Sequence, residues 1–166
     1  AAVGAAVSIV NSDSDTSATI NNATINAQDV IVQAISNNES MNVAIGLSVA
    51  AGSNASLSGA GNVATNNIAN DTTVTIAGTT IDASGTVAAL ANSNEVLRNY
   101  GGAASVSANS GSISAALGGT VVVNTITGNT NASVQNSNIV AIGEGDGVSV
   151  QDYTITKDAP TSSGSN

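Results

Sequence analysis

Any chemistry this chain performs falls to carboxylates, because few other reactive groups are present. Its 166 residues include no His and no Cys, and only two basic residues, Arg98 and Lys157, against eleven acidic ones. Without imidazole or thiol, His-based triads, thiol nucleophiles and most zinc sites are excluded. Two acidic groupings have the oxygen-rich character that a hard cation such as calcium takes as ligands. One is Asp13 and Asp15 in "NSDSD"; the other is Glu144 and Asp146 in "IGEGDGVSV". Neither has a basic residue beside it that could abstract a proton or steady a developing charge. The expectation is therefore no catalytic residue, no enzyme and no cofactor, with calcium at these four residues the one cofactor to weigh.

The elements that carry these residues are set by an internal repeat. Three stretches, beginning at Ser17, Thr73 and Asn131, superpose at offsets of about 56 to 61 residues, which is the signature of stacked units. Ile20, Ile76 and Val134 fall on one another, as do Ile25, Ile81 and Ile139, and Val30, Val87 and Val148. The acidic pair does not repeat: where one copy has Asp13 and Asp15, the others have Ala69 and Asp71, then Thr127 and Asn129. A recurring Asx before Thr is what a stacked turn wants, since its side chain caps its own backbone. The columns Asp15, Asp71, Asn129 and Asn66, Asn124 are accordingly expected to be a structural turn ladder. That reading also weakens the case for calcium.

Composition narrows the fold. Apolar residues make up 42% of the chain, yet there is no Phe and no Trp, only two Tyr and one Met. A compact globule would use aromatic anchors that bury about 150–250 Å² each; a thin solenoid tiled with Val, Ile, Leu and Ala does not need them. Helix is disfavoured by the abundance of Gly, Asn, Ser, Thr and β-branched residues. The one arguable helical stretch, "NEVLRNY", is too short to stand alone. Short alternating runs bounded by Asn, Gly, Ser or Asp read instead as strands coiling around an axis. Tyr100 aligns with Val43, an apolar position of the array, and is expected to pack in the core or a groove.

These features predict an all-β parallel β-helix. Division of the repeat into three gives about 19 residues per coil and about 8–9 coils in all. The array spans 1–153, divided into a partial repeat 1–37, a repeat 38–94 and a repeat 95–153. A flexible tail or linker, 154–166, carries the single Pro160. The opening residues read as a strand of an array already under way.

A net charge of −9 excludes a nucleic-acid binder, which needs clustered Lys and Arg, and argues against an anionic membrane surface. No apolar run approaches the roughly 20 residues of a spanning helix, so no membrane insertion of this segment is expected. Sequons at Asn22, Asn38, Asn54, Asn70 and Asn131 are about as many as chance supplies in so Asn- and Thr-rich a chain. The Thr-rich face "TTVTIAGTT" does not recur coil after coil, which speaks against ice binding.

The pattern "GAAVSIVNSDSDTSATINNATINAQDVIVQA", echoed as "GAGNVATNNIANDTTVTIAGTTIDASGTVAAL", resembles the repeat regions of large bacterial filamentous adhesins of the filamentous-haemagglutinin-like and leukotoxin types. The resemblance covers residues 1–150. It implies a right-handed parallel β-helix solenoid, a secreted, extracellular segment at the bacterial cell surface working as a stalk or passenger. Host-surface or neighbouring-cell ligands and end-to-end self-association are its implied partners. It carries over no functional residue. "VAIGLSVAAGSNAS" is similar to the head repeats of trimeric autotransporters, but their shorter cadence is not sustained. "IGEGDGVSV" resembles one unit of the glycine-rich nonapeptide calcium roll, which works by tandem stacking and here occurs once. The alternative from another class is a self-assembling pilus-like filament subunit, in which "AAVGAAVSIV" is a strand donated to the next subunit.

Overall fold

A computed structural model describes residues 1–149 apart from Ser112 and Gly145. The expected tail 154–166, Tyr153 and Lys157 lie outside the described residues. Among those described there is no helix, and nine strands follow one another: β1 (Ala2–Asn21), β2 (Thr24–Ala27), β3 (Val30–Gly52), β4 (Ala55–Ala77), β5 (Thr80–Ala83), β6 (Val87–Asn109), β7 (Ile113–Thr127), β8 (Thr130–Gln135) and β9 (Asn138–Ala141). All pairing between them is parallel. One sheet is ordered β1-β4-β7, with β8 also on β4; a second is β2-β5-β9; a third is β3-β6. The all-β, parallel-strand architecture expected from the sequence is present, and it is compatible with a β-helix.

The register corrects the coil length. Ala2 pairs with Ser58, Val30 with Val87 and Ala55 with Ile113, so each residue pairs with its counterpart one full repeat further on. The shorter coil expected from the sequence, three to a repeat, is not what pairs. The chain comes back beside itself once per repeat, so the described residues complete fewer than three circuits. The reason lies in the side chains. Thirds of one repeat are unlike one another, whereas successive copies match position for position. Like therefore stacks on like only at the full repeat: Ile20 on Ile76 on Val134, and Ile25 on Ile81 on Ile139. The alignment of Val30 with Val87 also holds. Val148, expected to continue that column, is in none of the described strands.

The repeat lengthens at two places, both turns. Gln28 and Asp29 in one circuit face Ser84, Gly85 and Thr86 in the next, so the second turn is the longer by a residue. Two residues separate Gly52 from Ala55, while three separate their register partners Asn109 and Ile113, so that connection lengthens in the same way. Asp29 closes the first of these turns, accepting from the Thr86 main-chain amide at 2.8 Å. Insertions fall where no ladder hydrogen bond is lost.

One end of the circuit is rounded and holds the aliphatic core. There the three sheets enclose Val30, Val32, Ala34, Val74, Ile76, Ile81 and Ala83, with Ile20, Ile25, Val87 and Ile139 packed against them. Val74, Ile76 and Ile81 are fully buried, and each such side chain contributes about 1.5–3 kcal/mol by leaving water. From there the long strands run out to a flat end, where β1, β4 and β7 lie against β3 and β6 as two facing walls.

At the flat end the expected pattern is inverted. Inward positions of β3 are Ser40, Asn42, Ala44, Gly46, Ser48 and Ala50, all buried, while Met41, Val43, Ile45, Leu47 and Val49 alternate with them and are exposed. Val3, Val7 and Ile9 of β1, Leu57 and Val63 of β4 and Leu117 and Val121 of β7 point outward in the same way. Tyr100, the register partner of Val43, is 56% exposed rather than packed in a core or groove. Small inward residues explain the inversion. The walls approach so closely that a β-carbon on Gly46 would lie 2.5 Å from the Gly61 carbonyl oxygen, leaving no room inside for the larger side chains.

Candidate functional site

The polar interior of the flat end is joined by hydrogen bonds across the two walls. Asn42 donates through Nδ2 to the carbonyl oxygens of Thr65 at 2.9 Å and Ser8 at 3.3 Å, and its Oδ1 accepts from the Ser8 hydroxyl. From the opposite wall Asn62 donates through Nδ2 to the carbonyls of Gly102 at 2.8 Å and Ala44. Ser40 donates to Asn66 Oδ1 at 3.0 Å, and the hydroxyls of Ser48 and Ser58 lie 2.9 Å apart. Pairing of this kind offsets the cost of burying amides and hydroxyls, but it is incomplete: Asn62 Oδ1, Asn66 Nδ2, Asn70 Oδ1 and Thr72 Oγ1 are buried without a partner. Glu95 of β6 joins this network, its Oε1 accepting from Asn70 Nδ2 and, at 3.1 Å, from the Ser93 hydroxyl.

The expected turn ladder is not at a turn. Asp15 lies within β1, Asp71 and Asn66 within β4, and Asn124 within β7. Asn66 is fully buried in the interior and pairs in register with Asn124. Asp15 and Asp71 are register partners on the outer surface. Asn129 is the one member between strands, in the gap from β7 to β8. It binds Asp71 Oδ1 through its main-chain amide at 2.8 Å and its side-chain amide at 3.1 Å. Of these side chains Asp71 and Asn129 link one circuit to the next, while Asn66 accepts from Ser40 and Asn124 from Asn99 Nδ2 at 2.9 Å, across the two walls.

A different column, which the sequence reading overlooks, forms the turn ladder. Asn22, Gly78 and Asn136 stand between the long strand and the short one in successive circuits, with φ of 51°, 59° and 48°. L-residues avoid this left-handed region, and Gly and Asn accept it. Their amides continue the stacking, Asn22 N to the Ala77 carbonyl at 2.9 Å and Gly78 N to the Gln135 carbonyl at 3.0 Å. A signal for it does exist, since Asn, Gly and Asn each stand two places beyond the Ile20, Ile76, Val134 column.

The calcium candidates do not converge. Asp13 and Asp15 are exposed on β1, while Glu144 and Asp146 follow β9. Glu144 is held through its main-chain amide, which donates to the Ser84 carbonyl at 2.8 Å. Among the described residues, no three His, Cys, Asp or Glu side chains gather as metal ligands would. Arg98 pairs with Glu39 at the surface. Of the sequons, Asn70 is buried and closed to a glycan. Among the described residues no helix is long and apolar enough to cross a membrane.

A shallow open groove crosses the outer face of the β1-β4-β7 sheet, running along Ala5, Gly61 and Gly119 and walled by Val7, Val63 and Val121. No family model, curated protein or solved structure matches the chain.

Proposed function

We propose that this chain is a non-enzymatic structural segment of a secreted bacterial cell-surface adhesin, a stiff repeat spacer that holds binding regions away from the cell. The observation that carries the reading is the in-register stacking of matched repeat copies, with Ile76 between Ile20 and Val134 and Ile81 between Ile25 and Ile139. Such an array has no built-in end and grows by adding units, each stabilised mainly by its neighbours. The circuit is taken to wind right-handed, the hand parallel crossovers adopt. Each repeat then advances the axis by about 4.8 Å, the spacing of paired strands. That is little length for a whole repeat, but the cross-section is broad, since strands of 20 to 23 residues run across it. A broad ladder resists bending.

Residues 2–10 pair with residues 58–66 of their own chain, which favours a spacer over a subunit that donates its first strand. Electron microscopy of tandem concatemers of the repeat unit 55–112 tests the proposal. Length should rise by about 4.8 Å per added unit at constant width. Particles that grow in all directions, or a length independent of unit number, would overturn it.

A further inference from the structure

The outer faces of the flat end are apolar on both sides of the molecule. On the β3-β6 face, Met41, Val43, Ile45, Leu47, Val49 and Val106 are exposed, and on the β1-β4-β7 face Val3 reaches 88% and Leu117 71%. Scattered exposed aliphatics are ordinary, but contiguous apolar faces mark an interaction site. Charge is sparse in the same region: residues 1–12, 40–70 and 99–143 contain no charged side chain, and the ion pair of Glu39 with Arg98, the register partner of Met41, marks where the apolar row of β3 and β6 ends. Asp13, Asp15, Asp29, Asp71 and Asp82 lie toward the rounded end, while Glu39 is paired with Arg98 and Glu95 is bonded to Asn70 and Ser93.

From this we infer that a second copy of the chain stacks face to face on the flat end, burying these aliphatic rows. Three observations favour that occupant. The unpaired acidic residues are segregated, so two acidic chains bring largely neutral faces together and keep most of their like charge out of the contact. Both faces are apolar, which suits a stack in which each copy covers its neighbour; the groove along Ala5, Gly61 and Gly119 gives an aliphatic side chain from outside a place to sit. Hydrocarbon of a membrane fits less well. Among the described strands β3 pairs only with β6 and β1 only with β4, so immersion would strip water from an unpaired row of amides and carbonyls at each edge. Stacking by faces leaves those rows in water.

The size of the face sets the strength. Nine residues at about 3.3 Å on strands about 4.8 Å apart give roughly 430 Å² for the three-stranded face and roughly 285 Å² for the two-stranded one, about a third to a half of what one partner buries in a standard interface. Association is therefore weak and concentration-dependent for this chain, and it strengthens with every further repeat.

Sedimentation equilibrium over about 5–500 µM tests the inference. The average mass should rise with concentration, and Leu47→Glu and Val63→Glu, outward on opposite faces, should each lower the association constant at least about tenfold. Thr19→Glu, outward at the rounded end, should leave it unchanged. Circular dichroism identifies variants that keep the fold; should either glutamate variant unfold, Leu47→Ser and Val63→Ser replace it, with the same direction expected. A chain that stays monomeric throughout the range overturns the inference, as does association that survives substitution on both faces, which would place contact at the open edges. Flotation with neutral phosphatidylcholine vesicles is the remaining arm: vesicle binding without self-association assigns the faces to lipid and overturns it. None of these outcomes bears on whether concatemers lengthen, so the spacer reading stands or falls separately.

Discussion

Asn129 reaches Asp71 from the neighbouring circuit with both its main-chain and its side-chain amide, at 2.8 and 3.1 Å from a single carboxylate oxygen. The pair stands where the β7 row breaks before β8, so the carboxylate supplies the acceptor for an amide that leaves the regular ladder. In return the Asn129 carbonyl accepts from the Thr72 amide at 2.8 Å. Replacing Asp71 by Ala should destabilise the array by about 1 kcal/mol, the net value of such bonds in a solvated setting. Asp71→Asn, which keeps an acceptor, should cost less. Urea denaturation midpoints at neutral pH measure both.

The left-handed column makes a sharper test. Asn136 holds φ of 48°, which a β-branched side chain resists. Asn136→Val should lower stability by about 1–2 kcal/mol, whereas Asn136→Gly should stay within about 0.5 kcal/mol of the parent chain. Equal effects from the two substitutions would show that the side chain, and not the backbone conformation, governs this corner. Thermal melts followed in the far ultraviolet distinguish the outcomes.

Close approach of the two walls predicts a contrast between glycines. A β-carbon at Gly46 would meet the Gly61 carbonyl oxygen at 2.5 Å and its carbon at 3.0 Å, both backbone atoms that cannot swing aside. Gly46→Ala should cost about 1–3 kcal/mol as the walls are forced apart. A β-carbon at Gly59 meets nothing within 4 Å, so Gly59→Ala should be neutral or raise stability by about 0.4–1 kcal/mol through the unfolded chain. Denaturant titration of the two variants side by side provides the measurement.

Much of the fold was legible in the residues. The columns of Ile20, Ile76, Val134 and of Ile25, Ile81, Ile139 marked both the repeat and the core, because an aliphatic side chain recurs wherever a parallel ladder needs like on like. The scarcity of aromatic residues agreed with a narrow interior. The short runs of alternation suggested short strands, and this misled. Asn, Ser and Gly between them looked like turns, yet β3 and β4 continue through them for 23 residues each, because a neighbouring copy in register supplies every ladder bond that local propensity would not hold.

What the sequence determined by itself was the period, the all-β character and the absence of His and Cys, since these follow from residue identities alone. Which face of each strand points inward was decided only by the tertiary structure. Alternation states that two faces differ, not which one is enclosed. In "SMNVAIGLSVAAG" the apolar set would ordinarily be assigned to the core; here the walls close on Ser, Asn, Gly and Ala because only these fit between two backbones in contact. Met41, Val43, Ile45 and Leu47 are left outside by that steric limit, which no single strand carries and which two facing strands impose.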